Sequence, residues 1–94
     1  MITAIVMIHA RADSIPETAQ AIADIEGVSE VYSCAGDVDL VAIVRVGTHE
    51  GLADLIPAKI GKVPGVRGTD THIAFRSYSS ADTEAAFSIG ADGD

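Results

Sequence analysis

The sequence predicts an α+β fold: a ferredoxin-like βαββαβ plait with both helices on one sheet face, dimerising through the other face. Three observations carry this. The periodicity runs strand, helix, strand, strand, helix, strand along the 94 residues, and right-handed crossovers around a central hairpin turn that order into a split βαβ sheet. A hairpin signal, Gly36-Asp37, stands between two β-rich runs at residues 28–35 and 38–46, where Gly suits the first central position of a type II′ turn. Finally, the strands share one pattern, a uniformly apolar face backed by a mixed one.

The first strand covers residues 2–10, with Ile2, Ala4, Val6 and Ile8 on its dry face and Thr3, Ile5, Met7 and His9 on the other. Ser14-Ile15-Pro16-Glu17 opens the first helix. Ser14 and Glu17 have the spacing of a capping box, and Pro16 is tolerated in a first turn. Ile15, Ala19, Ile22 and Ile25 or Glu26 follow helical spacing, and Gly27 suits a left-handed helix end. In the hairpin's second strand, Val38, Leu40, Ala42, Val44 and Val46 form a dry face. Asp39 is the only acid in the apolar run from Val38 to Val44; its carboxylate needs solvent, a partner or a ligand, because burying it unpaired is too costly.

Thr48 is placed to cap the second helix, whose buried stripe is Leu52, Leu55, Ile56 and Ile60. Pro57 lies inside this pattern, which predicts a kink or break near residues 53–56. Val63-Pro64-Gly65-Val66 reads as a type II turn leading into a fourth strand over residues 66–76. The plait thus occupies residues 1–78, and a tail over 79–94 carries a possible short helix at 82–89 with a frayed end. The mixed face, carrying Ile5, Met7, Val41, Ile43, Ile73 and Phe75, is too apolar for water, so another subunit is expected to cover it.

Composition excludes several functions. The formal net charge is −8 and the six Lys and Arg are scattered, which argues against direct nucleic-acid binding. The single cysteine, Cys34, fits a reducing compartment, no apolar stretch approaches a membrane span, and no basic leader opens the chain; a soluble, cytoplasmic protein with no membrane contact is expected. His9, His49 and His72 lack metal-ligand spacing. His9 and His72 lie on neighbouring strands and could approach one another, but exposed or interfacial histidines are the simpler reading. No phosphate loop, cofactor motif or Ser-His-Asp spacing is present.

With these pieces placed, the chain resembles the effector-binding (RAM-type) domain of the Lrp/AsnC (feast/famine) transcriptional regulators, in its stand-alone form. The matching residues are Val31-Tyr32, then Gly36-Asp37-Val38-Asp39-Leu40, Val63-Pro64-Gly65-Val66 and Thr69-Asp70-Thr71, across roughly residues 2–77. Val38 departs from the aromatic more often found there, and Pro57 is a second departure. The resemblance implies a non-enzymatic amino-acid sensor without a DNA-binding half. It also implies a homodimer able to build an octamer of four dimers, and co-assembly with a full-length regulator. Its ligand site would be Gly36, Asp37, Val38, Asp39, Leu40, Thr69 and Thr71. The tight Gly turn would leave amides free for a carboxylate, Asp39 or Asp37 would meet an ammonium, and the threonine hydroxyls would share the polar load. A plain hairpin with solvated acids and β-favouring threonines accounts for the same residues.

Two other readings stand beside this one. A small cofactor-free monooxygenase-type enzyme on the same plait, of the dimeric α+β barrel kind, needs an enclosed cavity with a buried polar cluster; a solid aliphatic core would end that reading. A ligand-free assembly scaffold needs neither.

Overall fold

The computed structural model describes residues 1–80; the short helix expected at 82–89 lies outside them. The elements are β1 (Ile2–Ala10), a 3-10 turn (Ala12–Ser14), α1 (Ile15–Ala23), β2 (Val28–Ser33), β3 (Leu40–Val46), α2 (His49–Ala58), a second 3-10 turn (Ile60–Lys62) and β4 (Val66–Ile73). They form one antiparallel four-stranded sheet in the order β2-β3-β1-β4. This is the predicted plait.

The dry face is the core. Ala4, Val6 and Ile8 of β1 and Leu40, Ala42 and Val44 of β3 are fully buried, under Ile22 of α1, Leu52, Leu55 and Ile56 of α2, and Ile60. All buried hydrophobic residues among those described are Ala, Val, Ile or Leu, and the one buried polar residue is Thr18. Register carries this face to the sheet edges. Val44 opposes Ala4 and Val28, while Ile73 opposes Ala4 on the other side. A bulge between Val28 and Glu30 lets Val28 and Val31, three residues apart, point to the same side.

Several local expectations are corrected. Ser14 makes no side-chain cap; as the last residue of the 3-10 turn it has φ −142°, ψ 29°, and its Oγ lies 3.4 Å from Thr18 Oγ1 instead. Helix α1 ends at Ala23, so Gly27, with φ +102°, shapes the turn into β2 rather than the helix end. Helix α2 does not break at residues 53–56 but runs through Pro57 to Ala58. Proline falls in its last turn, where it forfeits one helical bond, and the path changes only at Lys59 (φ −117°, ψ −60°). Ile60 packs from the following 3-10 turn. Thr48 does cap α2, its Oγ1 accepting from Gly51 N–H at 3.0 Å.

The 63–66 turn closes as expected, with Val66 N–H bonded to the Val63 carbonyl at 3.1 Å and Gly65 at φ +98°. It is also locked to the other end of the fold. Thr18 Oγ1 donates to the Pro64 carbonyl at 3.1 Å, and Arg11 N–H donates to the Gly65 carbonyl at 2.8 Å. A Cβ on Gly65 would collide with Thr18 Oγ1, so both conformation and space require glycine there.

Strand β4 stops at Ile73, short of residue 76, with Ala74 N–H adding a last bond to the Thr3 carbonyl at 2.9 Å. Ile73 therefore belongs to the helix-covered face and not, as expected, to the open one.

Candidate functional site

The hairpin is wider than a two-residue turn. β2 ends at Ser33 and β3 starts at Leu40, and the connection is closed by Cys34 N–H donating to the Asp39 carbonyl at 2.9 Å. Gly36 keeps the expected positive φ, at +132°. Asp39 is held by β1: its N–H donates to the Ile8 carbonyl at 3.0 Å, and its Oδ2 accepts from Ala10 N–H at 2.8 Å. The unexplained acid thus has a partner, the amide at the end of β1, whose neighbour Arg11 is bonded to Gly65 on the opposite side. Asp39 is half-buried, and among the described residues its Oδ1 accepts no hydrogen bond.

Gly36 and Asp37 are exposed and Val38 is half-buried. Leu40 is fully buried, so it offers the loop a fixed root rather than a side chain. Thr69 opposes Ile8, level with Leu40, and Thr71 opposes Val6. The structure therefore brings the loop and Thr69 to one end of the sheet on either side of β1, roughly 10 Å apart across two strand spacings. Thr71 is set apart from them, lining a shallow apolar groove with His49, Leu52, Ile56, Pro57 and Ile73.

The open face is the second feature. Register gives two cross-sheet rows, Tyr32–Val41–Met7–Asp70 and Glu30–Ile43–Ile5–His72. The middle of each row is apolar and both borders are polar. On the β2 border the Tyr32 hydroxyl donates to Glu30. That bond, with desolvation and the Glu30 charge behind it and Arg45 opposing, raises the phenol above its ordinary value. On the β4 border His72 Nε2 lies 3.3 Å from Asp70 Oδ2. His72 opposes Ile5 whereas His9 opposes Gly68, so the two histidines do not approach.

Sequence reasoning missed the Ala10 amide, because backbone partners leave no residue-type signal. It also missed Thr18, whose spacing of four from Ser14 on the face beside a Pro-Gly turn was available.

This geometry fits what comparison shows. The family model for the Lrp/AsnC ligand binding domain matches residues 3–83. The chain belongs to that family. It is 33% identical over 75 residues to the HTH-type transcriptional regulator FL11 of Pyrococcus abyssi, covering 80% of this chain and 49% of the regulator; it thus spans about half the length of that curated relative. The crystal structure of TTHA0845 from Thermus thermophilus superposes with a TM-score of 0.78 at 43% identity, covering 84% of this chain and 99% of that one. A transcriptional regulator from Neisseria meningitidis, NMB0573 in complex with L-Met, gives a TM-score of 0.75 at 11% identity over 83% of this chain and 52% of that one, a likeness of fold alone. This Lrp/AsnC domain is a small-molecule effector-sensing module, in a regulatory family that is not enzymatic.

Proposed function

We propose that this domain senses an amino acid in the cytoplasm as a homo-oligomer, holding the ligand at the Gly36, Asp37, Val38, Asp39 and Leu40 connection, where one dimer meets another. The observation that carries this reading is Asp39. One carboxylate oxygen is fixed by the Ala10 amide while the other is free of donors among the described residues, a pre-oriented acceptor for an ammonium. The exposed amides around Gly36 supply the complementary end for a carboxylate. Thr69 contributes from β4, at the same end of the sheet on the other side of β1.

The dimer forms through the open face, whose centre of Ile5, Met7, Val41 and Ile43 has the apolar core and polar rim of a protein interface. Four such dimers build an octamer, and co-assembly with a full-length Lrp/AsnC regulator relays the ligand signal to DNA. The L-Met complex of NMB0573 supports the ligand class.

Isothermal titration against the common amino acids tests the site. At least one is expected to bind the wild type. Asp39→Asn, which keeps an acceptor for Ala10 and removes the charge, is expected to weaken binding at least about tenfold, the loss of a charge-assisted bond. Binding unaltered by Asp39→Asn would remove the site from this loop.

A further inference from the structure

The segment after β4 is unexplained by the plait. None of the described aromatic residues is in the core: Tyr32 is on the open face, Phe75 is 98% exposed and Tyr78 is 84% exposed. Phe75 and Tyr78 nevertheless share one trough with residues of the sheet. Residues 74–78 wall a trough of about 730 Å³ floored by Thr3, Ile5, Ile43 and Arg45 at one end of the open face. Floor and wall together make a seat, and a second sheet stacked about 10 Å above the first would sit beside that wall.

The borders indicate what takes the seat. With the two sheets stacked about an axis along the strands, the β2 border of one copy lies over the β4 border of the other. Glu30 then meets His72, the Tyr32 hydroxyl meets Asp70, and Ile5 and Met7 meet Ile43 and Val41, following the rows fixed by register. The end of β4, where the segment departs, lies over the other copy's β2. The face is therefore complementary to itself in apolar content, with polar side chains facing one another along both borders.

We propose that residues 74–78 form an arm that reaches a second copy of this chain and packs Phe75 and Tyr78 against it, closing one rim of the sheet-face dimer. This rests on the sheet-face pairing proposed above. Because each copy contributes an arm, the two-fold arrangement buries four otherwise exposed aromatic side chains, a class enriched among residues that dominate interface energetics.

Sedimentation equilibrium on the full chain tests the arm. Three proteins are compared: wild type, the double variant Phe75→Ala/Tyr78→Ala, and Met7→Glu, which places a charge in the centre of the face. Loss of the arm is expected to raise the dimer dissociation constant of the double variant at least about tenfold with an unchanged circular dichroism spectrum, and Met7→Glu to be monomeric. A monomeric Met7→Glu alongside a double variant that dimerises like wild type would overturn the arm and leave the pairing intact. That result is also expected if the trough is filled by the chain's own residues. A monomeric wild type, or a Met7→Glu that dimerises normally, would overturn the pairing and the arm with it.

Discussion

Asp39 shows how one residue serves structure and chemistry through different atoms. Oδ2 satisfies the Ala10 amide at 2.8 Å, a part-buried donor that would otherwise have no partner at the bulged end of β1. Removing the carboxylate strands that donor, and a lost bond to a charged group costs about 1.5–3 kcal/mol. Asp39→Ala is therefore expected to lower unfolding stability by about 2 kcal/mol in urea denaturation, whereas Asp39→Asn, which still offers an oxygen, loses less than half of that. Equal losses in the two variants would show that charge, not the Ala10 bond, carries the stability. The pair of variants thus divides the structural from the ligand-binding role: alanine disturbs both and asparagine mainly the second. Arg11 and Asp13, by contrast, form an ion pair at 2.8 Å with both side chains mostly exposed, an interaction worth little in water.

The two helices differ at their starts, and the difference is measurable. Thr48 is extended at φ −141°, ψ 160° and bonds Gly51 N–H, so Thr48→Ala is expected to cost about 1 kcal/mol. Ser14 has the right residue type and the right spacing to Glu17, but makes no cap. Ser14→Ala is accordingly expected to change stability by no more than about 0.5 kcal/mol, and thermal melts of the two variants check the contrast. This marks what was legible in the chain. Strand β1, the capping of α2, the Pro64-Gly65 turn and the dry face of β3 follow from local pattern, since each depends on residues adjacent in sequence. The early stop of β2, the wide 34–39 connection and the side on which Ile73 falls depend on cross-strand bonds and bulges. Asp39 was marked by its own oddity; its partner was not, because Ala10 contributes only an amide. The 3-10 turn that ends at Ser14 likewise overrides a sound capping signal through the backbone path that delivers the chain to α1.

At the scale of the whole molecule, the dry face and the open face divide the labour. The helices bury the centre of the first, an aliphatic core built on β1 and β3. The second keeps Ile5, Met7, Val41 and Ile43 only half-buried, between polar borders. If folding and pairing are linked, stability depends on how much dimer is present, because a partner that binds only the folded state stabilises it by mass action. The thermal midpoint of the wild type is then expected to rise with protein concentration, by several degrees over a hundredfold range, since a gain of ~1 kcal/mol moves the midpoint of a domain this size by about 4–8 °C. Met7→Glu is expected to melt at a lower temperature that does not depend on concentration, while keeping its secondary structure below the transition. Calorimetry at two concentrations decides it. A concentration-independent midpoint in the wild type would mean that the plait is stable alone, and that the half-buried stripe is covered by something other than this chain.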